Sequence, residues 1–400
     1  MNSGQLMRPC CIAVVSPFID KRHGTERRIA EWISRLGNEY EVHIYSQRVE
    51  DVDLSRMQWH RIPQLRGPYL FNFLWWFAAN HLWRWWDRHF RGIRHDLVFT
   101  AGTNCLDADV ISIHIVFAEF VRQARAELAF SRNPIRFWPR LFHRRLLYRL
   151  LIFLERRMYT NPNTSLILIA RKTAEDLDRL YGRNDSLPIV YIGLDHRVYN
   201  PESRKQNYLK ARRQLGVDPE KFVLLLVGND WRKKGLLTLL EVLDKLKDLP
   251  LFLLVAGKDD PYPYLRQMHE RGLEGMVRFM PSRADVEWYY AAADVYVGPS
   301  LEDTFAQPPA EAMACGLPVI TSATNGTAEI ITDGVDGIIV QDPNDADNLA
   351  NKVRLLYESP DLCRSLGENA VRTAQKYTWD RNGEEIRAIF AQARIRKQQV

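Results

Sequence analysis

The chain has 400 residues, 46% of them hydrophobic and 26% charged, with a formal net charge of +6. That length exceeds a single ordinary core, and the balance is that of a globular protein organised in two domains. Five cysteines, two of them adjacent (Cys10, Cys11) and none in paired ligand spacing, argue against structural disulfides or zinc and for a reducing compartment.

The start, MNSGQLMRPCCIAVV, has too short an apolar run for a secretory signal, so a cytoplasmic protein is expected. Charge is uneven: residues 1–200 carry 29 Lys and Arg against 20 Asp and Glu, residues 201–400 carry 26 against 29, and eight of the eleven tryptophans precede residue 139. A basic, Trp-rich half beside a mildly acidic half points to an anionic surface or ligand for the former.

From the N-terminus, CIAVV (11–15) reads as a buried strand. It leads into SPFIDKRHGTERRIAEWISRLG (16–37), where Gly24 permits a tight turn and Ile29, Ile33 and Leu36 form a helical stripe. The helix start at Gly24 and Thr25 is a candidate contact for a phosphate. Further runs follow at 41–45, 96–100, 109–114, 165–170 and 188–192. His114 closes the run DVISIH at a strand's carboxyl edge, and DAD (107–109) reads as a turn rather than a metal site.

Two segments break this rhythm. YLFNFLWWFAANHLWRWW (69–86) is crowded with aromatics, and residues 132–157 hold eight arginines around a leucine stripe. Neither supplies the roughly 18 uncharged apolar residues of a membrane span. The second is suited either to packing on its own domain or to a bilayer interface, with Arg140, Arg144, Arg145 and Arg149 on anionic headgroups. No recognisable nucleic-acid module accompanies these cations, so no nucleic-acid partner is expected.

YNPESRKQN (199–207) reads as an interdomain hinge, after which the runs resume at 222–227, 251–256, 277–280, 294–298, 318–322 and 337–340. Runs buried on both faces and separated by helices imply parallel sheets covered by helices, hence an α/β fold of two Rossmann-like domains. Their expected limits are 1–198, with a terminal helix from 379 to 400 packing back, and 199–378.

In the second half, VGNDWRKKG (227–235) is strand, loop and helix start, placing Arg232, Lys233 and Lys234 where a leaving phosphate needs cations. In SLEDTFAQPPAEAMACGLPVITS (300–322), Asp303 sits in a loop and Glu311 is expected in the first turn of a Pro-opened helix, whose N–H groups would suit a diphosphate. The two acids can accept hydrogen bonds from separate sets of sugar hydroxyls.

PSLEDTFAQPPAEAMACGLPV resembles the donor signature of retaining nucleotide-sugar glycosyltransferases with two Rossmann-like domains facing across a cleft, the GT-B fold, specifically glycosyltransferase family 4. VGNDWRKKG is similar to that family's phosphate loop and NGTAEIITDGVDGIIV to its closing donor loop, while HGTERR resembles lipopolysaccharide-core sugar transferases. The resemblance spans roughly residues 10–380 and is most specific over 285–340.

It implies that Glu311 holds the ribose and Asp303 the transferred sugar. Lys234, with Arg232 or Lys233, would meet the diphosphate, and Gly228, Asn229 and the backbone of Phe305, Ala306 and Gln307 would line the donor. His114 would orient the sugar. Departures are Asp303 in place of a glutamate (with Glu302 beside it), Ala306 and His23 in place of glycines, and Asn229 in place of an arginine. The implied reaction is metal-independent retaining transfer from a nucleotide diphosphate-sugar to a glycolipid, lipopolysaccharide or polysaccharide precursor, with no cofactor. A nucleotide-sugar epimerase on the same fold and a degenerate membrane-associated scaffold are the competing readings.

Overall fold

The computed structural model describes residues 9–399 apart from 22–23, 38, 66, 125–127, 129–133 and 284. The chain divides into two compact units, Met1–Tyr191 with Asp380–Val400, and Ile192–Trp379. Residues 192–198, assigned to the first domain from the sequence, lie in unit 2.

Unit 1 contains β1 (Cys10–Val15), β2 (Phe18–Ile19), β3 (Tyr40–Ser46), β4 (Arg48–Val49), β5 (Met57–Arg61), β6 (Leu97–Ala101), β7 (Val110–Ile113) and β8 (Ser165–Leu168). Six of them form a parallel sheet in the order β5-β3-β1-β6-β7-β8, and β2 pairs with β4. Every residue of β1 is buried, because helices cover both faces of such a sheet. The helices are α1 (Gly24–Leu36), α2 (Tyr69–Phe90), α3 (Phe117–Gln123), α4 (Trp138–Tyr159) and α5 (Arg171–Tyr181).

The run 188–192 is not a strand: only Ile189 bridges to Leu168, and Pro188, lacking an N–H, offers just its carbonyl. The aromatic stretch is α2, which buries Leu70, Trp76 and Ala79 and leaves Phe71, Leu82, Trp85 and Phe90 exposed. Leu70 packs with Leu147 and Leu151 of α4. Arg140, Arg144 and Arg149 are exposed, whereas Arg145 is partly buried and its Nε donates to the Leu128 carbonyl at 2.9 Å, so it is not a freely presented headgroup ligand.

Unit 2 repeats the topology. Strands β9 (Phe222–Val227), β10 (Leu251–Gly257), β11 (Val277–Pro281), β12 (Val295–Gly298), β13 (Val319–Ser322) and β14 (Ile338–Val340) order as β11-β10-β9-β12-β13-β14, all parallel. Around them lie α6 (Pro201–Leu215), α7 (Leu236–Lys245), α8 (Tyr262–Glu270), α9 (Glu287–Ala292), α10 (Gln307–Ala314), α11 (Ala346–Glu358) and α12 (Pro360–Ala374). In each sheet the strand order reverses beside the first strand, between β1 and β6 and between β9 and β12, and ligands of such sheets bind outside the carboxyl ends at that point.

The expected hinge at 199–207 is instead the start of α6. Asn200 Oδ1 caps it by accepting from Ser203 N at 2.8 Å, and Pro201 fills a position where the missing N–H costs nothing. The last helix, α13 (Trp379–Gln398), packs on unit 1: Asn382 accepts from Trp32 Nε1 at 2.5 Å, and Phe390 lies 5.5 Å from the Phe99 ring.

Candidate active site

The loops after β9 and β12 flank the reversal point of unit 2 and bring two predicted groups together. Lys234 Nζ donates to Asp303 Oδ2. The pair is only 13% and 23% exposed at its side chains, so it is shielded from solvent yet reachable. The loop that carries Lys234 is tightly specified. Gly235 has φ +83°, and a Cβ there would lie 2.1 Å from the Pro299 carbonyl oxygen, so only glycine fits. Trp231 anchors the other side, its ring buried and stacked 5.0 Å from Phe279 and its backbone N–H donating to the Asp259 carboxylate at 2.5 Å.

Within that loop Arg232 is exposed and Lys233 half-buried. Gly228 has φ +144°, and its missing Cβ leaves room for the Lys234 stem 3.0 Å away. Asn229 Oδ1 accepts from the Lys258 N–H at 2.9 Å, a bond that ties two loops at the sheet edge.

Glu311 is the fifth residue of α10, not part of its first turn. It is buried and accepts from the Tyr290 hydroxyl at 2.8 Å. Burial, and after it the Glu311 charge, pushes the Tyr290 pKa far up, so that phenol remains a donor and fixes the carboxylate. The hydroxyl of Tyr296, in β12, is likewise shifted up by burial and then by both Asp303 and Glu311, so the two acids converge on one phenol.

The start of α10 offers a diphosphate fewer donors than its sequence promises. Pro308 and Pro309 bring no N–H. Phe305 N donates to Asp303 Oδ1 at 3.2 Å, and Ala306 N donates to Asn325 Oδ1 at 3.2 Å. Gln307 opens the helix itself. Of the charged groups at this point, the cations of the 232–234 loop are the ones that could face an anion.

Asn325 was not singled out from the sequence. Its side chain accepts from Ala306 and from Thr327, and its backbone bridges to Asp303, which pins residues 324–327 to the acidic loop. The signal available was its place as an Asn cap in NGTAE.

In unit 1, His114 follows β7 and its Nε2 lies 2.9 Å from Ser112 Oγ. Burial, then the Arg28 charge, drives its pKa well below the ordinary histidine value, so the imidazole is neutral. Arg28, in α1, is 1% exposed, and its Nε and Nη1 have no hydrogen-bond partner among the described residues. Burial pulls its pKa down to about 9. The sequence reading missed it, because an arginine in HGTERR looks like a solvated helix face.

Gly24 begins α1 with an ordinary φ and open space around it, so no glycine is demanded there, and Thr25 is half-buried beside it. His23 lies outside the described residues. The DAD carboxylates are structural: Asp107 holds Arg84 at 2.6 and 2.8 Å, and Asp109 accepts from the Val98 N–H and from Lys397, each at 2.7 Å.

Strand order and the loop constellation define two α/β units of the glycosyltransferase GT-B type, and solved structures agree. The chain is similar to WaaG, a glycosyltransferase involved in lipopolysaccharide biosynthesis, at TM-score 0.73 and 22% identity over 91% of this chain and 95% of that one. It is similar to Anabaena HepE in complex with UDP-glucose at TM-score 0.70 and 19% identity, over 96% and 99%. Likeness at these identities concerns the fold.

Residues 207–373 match the family described as Glycosyl transferases group 1, so the glycosyltransferase pattern recognised over 285–340 stands within unit 2. Among curated proteins, the D-inositol 3-phosphate glycosyltransferase of Corynebacterium aurimucosum is 28% identical over 250 residues, which are 60% of this chain and 59% of that protein. The match thus spans less than two thirds of that relative's length.

Proposed function

We propose that the protein is a retaining, family 4 type glycosyltransferase that moves a sugar from a nucleotide diphosphate-sugar to a glycolipid or saccharide acceptor, without a metal in the transfer step. The observation that carries this reading is the Lys234–Asp303 pair at the reversal point of unit 2, with Glu311 held behind it by Tyr290. In this reading Lys234 swings from Asp303 onto the donor pyrophosphate and neutralises the charge that grows as the glycosidic bond breaks. Asp303, released, accepts from hydroxyls of the sugar, and Glu311 accepts from the ribose diol.

Arg232 and Lys233 add positive charge beside the phosphates. The departing phosphate oxygen takes the acceptor's proton on the face it leaves, which preserves the anomeric configuration and needs no carboxylate nucleophile. His114, being neutral, brings no positive charge against an oxocarbenium-like centre and serves as a hydrogen-bonding orienter. Arg28 supplies unit 1 with a buried cation for an anionic substrate group, which suits a phosphorylated acceptor of the kind that the D-inositol 3-phosphate glycosyltransferases are named for. UDP-glucose, the ligand of HepE, is the first donor to test. An anionic cytoplasmic membrane face presenting the acceptor is part of the proposal, and it draws on the exposed basic-aromatic surface of α4.

A panel of nucleotide sugars incubated with the protein and a chelator is expected to release nucleoside diphosphate from one of them. Lys234→Ala and Glu311→Ala should each lower that release by about 100-fold or more, the scale of losing one group aimed at transition-state charge. Undiminished release in both variants would remove these residues from the site.

A further inference from the structure

We infer that unit 1 carries a transition-metal site, of the class that takes Zn²⁺, formed by Cys11, Glu41 and His43. One ligand atom from each residue lies within 4.8 Å of the other two. Cys11 is the second residue of β1, and Glu41 and His43 are the second and fourth of β3; register sets Cys11 opposite Glu41 and Ala13 opposite His43, so all three share one face of the sheet. The cluster lies at the amino-terminal end of these strands, roughly 13 Å of β1 away from the carboxyl edge where ligands of the fold bind.

Hydrogen-bond polarity supplies the second argument. Asp87 is an acceptor surrounded by donors: the Tyr45 hydroxyl at 2.7 Å, Arg91 Nη1 at 3.2 Å and His60 Nδ1 at 2.7 Å. His60 must therefore carry a proton on Nδ1, and in the neutral ring Nε2 is a lone pair. That lone pair stands 2.9 Å from His43 Nδ1, so His43 donates there and its own Nε2 becomes an acceptor. His43 Nε2 then faces the Glu41 carboxylate at 3.2 Å, two acceptors pointed at one another beside a thiol. A cation between them satisfies both.

Two ligands at about 2.0 Å from a tetrahedral ion stand about 3.3 Å apart, so the His43–Glu41 spacing already fits. A sulfur and a nitrogen on the same ion stand about 3.5 Å apart, so the thiol has at most about 1.3 Å to close. The surroundings are those of a held metal ligand set. The Asp87–His60–His43 relay fixes the ring and its tautomer, and the Cys11 backbone is pinned by Asp96, whose carboxylate accepts from the Cys11 N–H and whose own N–H donates to the Cys11 carbonyl, each at 2.8 Å. Cys11 and His43 are buried and Glu41 is at the surface, which leaves an entry path and a fourth position for water. Sulfur, imidazole and carboxylate together favour Zn²⁺ over the hard cations Mg²⁺ and Ca²⁺.

The test uses the untagged full chain, stripped with chelator and titrated with Zn²⁺ and with Co²⁺. One equivalent of Zn²⁺ should bind tightly enough to survive desalting, and the Co²⁺ form should show a thiolate-to-metal charge-transfer band. Glu41→Gln, the variant at the exposed ligand and least disturbing to the fold, should weaken Zn²⁺ binding at least tenfold, and Cys11→Ser should abolish the Co²⁺ band. Asp87→Asn, which disrupts the relay without touching a ligand, should weaken binding by about 10–100-fold. Wild-type protein that retains no Zn²⁺, or a Co²⁺ form without the thiolate band, overturns the site; so does a Glu41→Gln protein that binds as tightly as wild type, since a shared proton would then be what joins His43 to Glu41.

Discussion

Arg28 sits in a conflict that a protein does not maintain for stability. A guanidinium 1% exposed, with two nitrogens lacking partners among the described residues, keeps a large desolvation cost, visible in a pKa lowered to about 9. Such a cost is tolerated where a ligand completes the group. Arg28→Met retains the volume and removes the charge, so it should raise stability by about 1 kcal/mol or more while lowering kcat/KM at least tenfold. Thermal melting and steady-state kinetics on the same preparation check both signs, and a variant that loses stability yet keeps its activity would make Arg28 a strut. Burial of this kind was invisible in the sequence, where 26-ERR-28 opens an amphipathic helix. Lys234 and Asp303 were legible singly, as a cation before a glycine and an acid before a Pro-opened helix. Their pairing across 69 positions was not, because only the adjacency of β9 and β12 creates it.

Helix α3 begins without a capping side chain of its own; Glu155 of α4 caps it from outside, accepting from Phe117 N at 2.6 Å, Ala118 N at 3.1 Å and the Tyr181 hydroxyl at 2.8 Å. Burial outweighs those donors and raises the Glu155 pKa from 4.5 to about 7. Because the folded value lies above the unfolded one, the folded state binds the proton more tightly. Stability from this group is therefore fully present below about 4.5 and is lost as pH rises through about 7, a span worth on the order of 3 kcal/mol. Glu155→Gln should flatten that part of the profile. Urea unfolding at pH 5 and pH 8 measures it, and equal slopes in variant and wild type would refute the assignment. At this scale the six apolar runs of unit 2 each became a strand, since strands buried on both faces announce themselves by composition. In unit 1, β5 escaped notice because MQWHR alternates polar and apolar at a sheet edge, and 188–192 was overread because an apolar run with a proline cannot complete a ladder. The hinge expected at 199–207 failed on cap chemistry: Asn200 and Pro201 are a helix start, not a linker.

For the whole molecule, the charge asymmetry between the two halves finds its structural counterpart on α4. At 100° per residue, Trp138, Phe142, Leu146, Arg149, Phe153 and Arg156 fall within one 80° stripe, about a quarter of the helix surface. All six are exposed, Phe142 and Phe153 to 63% each, while Leu147, Leu151 and Leu154 on the other side are buried. An apolar stripe carrying arginines in the same row suits an in-plane helix at a bilayer interface, and no helix among the described residues is long and apolar enough to cross one. Arg140 and Arg144 lie about 160° around the helix from the middle of that stripe. The proposed membrane contact therefore makes a directional claim that charge alone does not. Arg149→Glu with Arg156→Glu should weaken binding to vesicles rich in anionic lipid by about 30-fold or more, at about 1 kcal/mol per basic residue lost, whereas Arg140→Glu with Arg144→Glu should weaken it less. Phe142→Ser with Phe153→Ser should weaken binding at high salt as well as low, because buried apolar area is not screened. Co-sedimentation with vesicles across a salt series reads all three, and equal losses from the two arginine pairs would mean a diffuse field rather than a docked stripe.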